Sequence, residues 1–139
     1  MTTSNTHKGS CLCKKVSFEI MGDIKAVTHC HCKMCQKSHG AAFATYAATR
    51  KEHFSLIGKE HLARFRSSED VTRSFCTHCG ANVLWQDSGT FSSEWTTFAL
   101  ALLDTPFERE KQKHIHLESK AHWLSINDSR LKHSTDASE

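Results

Sequence analysis

Seven cysteines in 139 residues constrain this chain more than any other feature. An odd number does not close into disulfides, and the spacings are those of metal knuckles. Cys11 and Cys13 stand as C-x-C, Cys30, Cys32 and Cys35 as C-x-C-x-x-C, and Cys76 and Cys79 as C-x-x-C. Tetrahedral zinc takes four N or S ligands, with sulfur at about 2.3 Å. A C-x-C pair cannot complete a tetrahedron alone, so it needs a second pair across the fold. The set divides as four plus three. Cys11, Cys13, Cys76 and Cys79 make a closed, structural site, and Cys30, Cys32 and Cys35 make one with a vacancy. Spacing leaves two alternatives open. Cys11 and Cys13 could join two of the triad, or His29 or His31 could close the triad and make it structural as well.

The length suits one domain, and 38% hydrophobic content suits a modest, metal-stapled core. The net charge is +3, without a run of five like charges, so nucleic-acid binding through a basic face is not indicated. No apolar stretch approaches the roughly 18 residues needed to cross a bilayer. The segment Met1 to Lys8 has no apolar region of a secretory signal. A soluble, cytoplasmic protein is expected, in a compartment where thiols stay reduced. Residues 1–8 are expected to be disordered, 9–131 to form a single zinc domain, and 132–139 to be a polar tail.

Hydrophobic alternation supplies the elements. Val16, Phe18 and Ile20 alternate with Ser17 and Glu19, as in a half-buried strand. Residues 26–28 read as a short strand delivering the triad, and 33–38 as one or two helical turns stopped near Gly40. Further strands are expected at 42–48, 53–57, 62–66 and 83–86, with short closing strands at 114–117 and 123–126. Val71, Arg73 and Phe75 lead into the second knuckle, where Gly80 permits a positive-φ turn. Residues 95–103 are the longest apolar run and read as a central strand. Many short strands and little helix predict an all-β, or β-rich, domain.

Three stretches carry a family resemblance: Gly9-Ser10-Cys11-Leu12-Cys13 through Phe18, Cys30-His31-Cys32-Lys33-Met34-Cys35, and Phe75-Cys76-Thr77-His78-Cys79-Gly80. Together with Lys113-His114-Ile115 and Ser119 to Trp123, they resemble the glutathione-dependent formaldehyde-activating enzyme family, whose domain is shared with centromere protein V. The resemblance spans roughly residues 9–126. It implies a β-tent of small twisted antiparallel sheets around two zinc ions. It also implies that Cys11, Cys13, Cys76 and Cys79 hold a structural zinc, and Cys30, Cys32 and Cys35 a catalytic one. The implied partners are a small thiol such as glutathione and an aldehyde such as formaldehyde. The implied reaction is that of a carbon–sulfur lyase forming or breaking an S-hydroxymethyl adduct.

Zinc with three thiolates has net negative charge and is a weak Lewis acid. It would still deprotonate a thiol that joins it, and an unperturbed thiol has a pKa of about 8.5. An anionic thiol substrate calls for a cationic rim, for which Lys14, Lys15, Lys33, Lys37, Arg64 and Arg66 are the candidates. His31 is a candidate proton shuttle. His78 is expected to be exposed, and Trp85, Trp95 and Trp123 to lie in the core. The competing function is a non-catalytic binding module with two structural zincs. The missing basic tail counts against that module, and the C-x-C spacings and modest charge count against a nucleic-acid zinc ribbon.

Overall fold

The computed structural model describes residues 5–134. Strands β1 (Thr6–Ser10), β2 (Ser17–Met21) and β5 (Phe54–Ile57) form a three-stranded antiparallel sheet in the order β1-β2-β5. The second sheet has eight strands. They are β3 (Lys25–Cys30), β4 (Ala44–Arg50), β6 (Leu62–Arg66), β7 (Val71–Cys76), β8 (Asn82–Asp87), β9 (Trp95–Ala99), β10 (Gln112–Ile115) and β11 (Leu131–Lys132). Their order is β11-β10-β3-β4-β9-β8-β7-β6. Among the described residues two α-helices interrupt the strands, α1 (Lys33–His39) and α2 (Thr90–Glu94).

The strand-rich reading holds, and the sheet description needs correction. One sheet is eight strands wide, and β10 runs parallel to both β3 and β11. A parallel neighbour needs a crossover rather than a hairpin. Here most of the fold intervenes between β3 and β10, so β10 reaches the free edge of β3 in the same direction. The central strand is also shorter than its apolar run: β9 ends at Ala99, and residues Leu100–Leu102 turn as a 3₁₀ helix. The alanines and leucines after Phe98 lack the β-branched side chains that favour a pleat. Residues 123–126 form no strand, and Trp123 is 76% exposed rather than in the core. The reason is local: the chain turns sharply after buried Ala121, with Leu124 N–H donating back to Ala121 O.

The ends of the chain are corrected too. Thr6, His7 and Lys8 were expected to be disordered, but they belong to β1, paired with β2 through the register Lys8↔Glu19. His133 N–H donates to His114 O and Leu117 N–H to His133 O, so residues 132–134 are tied to the fold. The other residues assigned to the two termini, 1–4 and 135–139, lie outside the described residues.

The core is divided into three clusters. Phe18, Ile20, Ile24, Val27, Ala47 and Phe98 join the two sheets, where Phe18 lies 5.0 Å from Phe54 and 5.4 Å from Phe98 between ring centroids. Burying one such side chain contributes about 1.5–3 kcal/mol. The other two clusters each contain cysteines: Cys11, Val16, Cys76 and Val83 in one, and Cys30, Cys35, Ala44, Tyr46 and Ala99 in the other. Each cysteine group is therefore the nucleus of its own small core.

Candidate metal centres

The first cysteine group is assembled from remote pieces. Cys11 and Cys13 sit in the turn between β1 and β2, Cys76 ends β7, and Cys79 lies in the turn between β7 and β8. The turns are set by local geometry: Lys14 has φ 68° and Gly80 φ 78°, the left-handed conformation that closes a tight turn. All four sulfurs lie within 4.8 Å of one another. The Sγ–Sγ distances are 3.7 Å for Cys11–Cys13 and 3.6 Å for Cys13–Cys76. A zinc tetrahedron with bonds of about 2.3 Å has edges of about 3.8 Å, whereas a disulfide would be about 2.05 Å. The donor set therefore fits a tetrahedral metal. Backbone N–H groups of Val16 and His78 point at the sulfurs of Cys11 and Cys76, both at 3.4 Å, as suits thiolates.

The second group is local. Cys30 ends β3, Cys32 caps α1, and Cys35 lies one turn inside that helix. A spacing of three puts Cys32 and Cys35 on one helical face, and Cys35 N–H donates to Cys32 Sγ at 3.4 Å. The helix ends at Gly40 in the left-handed conformation, whose N–H donates to Gln36 O. The three sulfurs again lie within 4.8 Å of one another. Among the described residues no histidine joins either group. Burial and neighbouring thiols make these sulfurs unequal. Hydrogen bonding with Cys32 and Cys35, then burial, pushes the Cys30 thiol far up, while hydrogen bonds from Cys30 and Cys35 pull Cys32 far down. Three thiols packed this closely cannot readily all ionise without a cation beside them. A metal ion lets all three ionise.

Behind the triad lies a buried polar network. Arg73, 3% exposed on β7, directs Nη2 at Cys35 Sγ (3.6 Å), Nη1 at the Tyr46 hydroxyl (3.2 Å) and Nε at Ser67 Oγ (3.0 Å). Tyr46 OH is 2.7 Å from His39 Nε2. Arginine only donates, so the Tyr46 oxygen accepts from Arg73 and its proton goes to His39. That direction agrees with the charges, because burial lowers the His39 pKa and raises that of Tyr46 beyond its usual range.

His31, fully buried, belongs to a different network. Its Nε2 is 2.9 Å from His114 Nδ1, and His114 Nε2 is 2.9 Å from Asp128 Oδ2. The hydrogen bond from His114 comes first among the effects that hold the Asp128 carboxyl below its usual range. A carboxylate accepts, so His114 donates from Nε2 and accepts at Nδ1 from His31 Nε2–H. This tautomer leaves a lone pair on His31 Nδ1, which is buried without a hydrogen-bond partner among the described residues. His29 is held by Thr45 Oγ1 at 2.8 Å and Gln112 Oε1 at 2.7 Å, away from the sulfurs.

The structure thus brings together every cysteine named from sequence and disperses the named cations. Lys14 and Lys15 flank the quartet, and Arg64 and Arg66 lie on the outer strand β6. Their cavity also contains Glu69, Asp70 and Asp87, which opposes anion binding. Only Lys33 and Lys37 share an element with the triad. His78 is exposed and meets His61 edge-on, with ring centroids 5.0 Å apart. Trp85 packs against the triad cluster, and Trp95 stacks on Phe91 at 5.6 Å beside a cavity of about 220 Å³. Sequence reasoning did not single out Arg73, Tyr46 or His114 as parts of a site. For Arg73 a signal existed, since it shares the alternating stripe with Val71 and Phe75.

The model of the glutathione-dependent formaldehyde-activating enzyme family matches residues 6–119. The chain belongs to that family. The matched region holds all seven cysteines, Arg73 and His114, and leaves Asp128 outside. Among solved structures, a structural-genomics target from Rhodobacter sphaeroides resembles this family member with a TM-score of 0.57. It is 22% identical, and the match covers 74% of this chain and 93% of that one, a likeness that speaks for the fold alone. No curated protein matches the chain.

Proposed function

We propose that this protein is a zinc-dependent enzyme of the carbon–sulfur lyase type, acting on a small thiol such as glutathione and on formaldehyde. The observation that carries this reading is the inequality of the two sulfur groups. Four thiols converge in one, whereas three converge in the other, where no histidine among the described residues joins them. Cys11, Cys13, Cys76 and Cys79 hold a structural zinc, and Cys30, Cys32 and Cys35 a second. The sheets that carry the two sulfur groups are read as the β-tent of the family, in one domain that includes β1 and β11, working in the cytoplasm.

A zinc ion held by Cys30, Cys32 and Cys35 would favour ionisation of a thiol that joins it. Around it, α1 and β3 fix the three sulfurs, and the Arg73 guanidinium lies against Cys35. The reaction balances simply. The thiol gives up its proton, its sulfur forms a bond to the formaldehyde carbon, the C=O π pair moves to oxygen, and oxygen takes a proton. Reversal breaks the C–S bond. Trp85 and Tyr46, with ring centroids 6.4 Å apart, give the triad cluster an apolar wall.

The addition also proceeds unassisted, so product formation proves nothing. The test is the exchange rate between formaldehyde and glutathione at equilibrium, read by NMR exchange spectroscopy. Wild type is expected to exceed the background and Cys32→Ser to match it. If no thiol is accelerated and none alters the metal's spectrum, the lyase reading fails and a binding module takes its place.

A further inference from the structure

Buried charges in proteins are paired. Arg73 is 3% exposed and cannot shed its proton. Its partners are two hydroxyls, those of Ser67 and Tyr46, and the sulfur of Cys35. Among the described residues no carboxylate joins them. The one contact able to carry the counter-charge is the sulfur, so the buried guanidinium and the cysteine triad form a single electrostatic unit.

This unit answers a difficulty in the chemistry of the centre. A divalent cation with three thiolates is left with one net negative charge, and an arriving thiolate adds a second. Accumulating that charge in a water-poor site is strongly unfavourable unless a cation is built in. Lys33 and Lys37 are exposed on α1 and screened by solvent. The Lys120 ammonium is engaged by the carbonyls of Ala121 and Leu124. We propose that Arg73 is the charge-compensating residue of the Cys30–Cys32–Cys35 centre, selecting an anionic fourth ligand over a neutral one. The inference rests on the reading of that centre as an open metal site. Ser67 and Tyr46 position the guanidinium by holding Nε and Nη1, which leaves Nη2 directed at the sulfur.

The experiment uses the cobalt(II)-substituted protein, whose visible spectrum reports ligands joining the metal. Each form is titrated with 2-mercaptoethanol, which binds as a thiolate, and with imidazole, which binds neutral. Arg73→Gln is expected to weaken thiol binding by on the order of tenfold or more, with imidazole binding within about twofold. Arg73→Lys should recover most of the loss, because it keeps the charge. Ser67→Ala, which touches neither the core nor the cysteines, should cost the thiol a few-fold and imidazole nothing. A thiol-to-imidazole ratio unchanged in Arg73→Gln overturns the proposal. Should that variant not fold, an unchanged ratio in Ser67→Ala overturns it equally. A wild-type centre that binds neither ligand overturns the open-site reading, and this inference with it. Two bound metals in every variant would place the effect on the ligand rather than on assembly.

Discussion

The two cysteine groups are built from the same side chain and differ in what the chain has done to bring them together. The quartet joins turns that are far apart in sequence, Cys13 and Cys76 being 63 residues apart, and it links the three-stranded sheet to the eight-stranded one. The triad spans six consecutive residues on the end of β3 and the start of α1. Cross-linking distant segments removes much loop entropy from the unfolded chain, while cross-linking neighbours removes little. The surroundings differ in the same sense. Val16 and Val83 enclose the quartet, whereas a buried arginine, a tyrosine and a histidine stand behind the triad. On this contrast rest the roles proposed for the two groups, a staple for the quartet and a reactive centre for the triad.

The sharpest way to break this comparison is mutation of one sulfur in each group. Cys76→Ser, at a fully buried position, should abolish cooperative folding, since structural zinc supplies apparent binding free energy of roughly 10–16 kcal/mol. Cys32→Ser should lose only the second ion and keep its β signal. Circular dichroism melts of the two variants check this, and equal collapse of both would erase the distinction.

Metal removal probes the same contrast more gently. Mild chelation is expected to take one ion from the triad first, leaving a folded species with one metal. Native mass spectrometry alongside circular dichroism would show it. Simultaneous loss of both ions would mean that the triad, too, is closed.

Acid should act first on the triad side. Burial, with His114, His29 and Lys120 adding to it, pushes His31 down to about 4, and burial also lowers His29 and His39. These folded-state values lie below the unfolded value of about 6.5, so the unfolded chain binds more protons. Stability is fully present above pH of about 6.5 and declines as pH falls toward 4. Hydrogen exchange at pH 7.5 and pH 5 should show β3 and α1 losing protection before the β7–β8 turn. Uniform loss would remove the asymmetry.

The smallest expected effect is Tyr46→Phe. It takes away the acceptor of Arg73 and the donor to His39, and such a loss costs about 1–3 kcal/mol at a buried site. Thermal unfolding should register that cost, and competition with a metal indicator should show weaker binding at the triad alone.

Much of this was legible in the chain. Knuckle spacing is a local property, and Gly40 and Gly80 stop a helix and close a turn wherever they stand, so α1 and the β7–β8 turn could be read directly. Alternation located β2, β6 and β7 to within a residue or two, and the knuckle before it located β8 as a returning strand. The reading failed where the deciding neighbour is remote. Thr6 to Lys8 look like a loose terminus until β2 is present to pair with them. The strand end at Ala99 and the exposure of Trp123 likewise depend on where the chain must turn.

The sequence by itself determined which side chains can hold metal, because ligand identity and short spacing are covalent facts, but it left their grouping open until the fold brought Cys76 and Cys79 to Cys11 and Cys13. Only the tertiary structure decided what stands around them. Arg73 meets Cys35 across 38 residues and His31 meets His114 across 83, through strands that are not adjacent in the chain. Composition does not encode such meetings, since a buried charge is tolerated only where the folded chain supplies its partner.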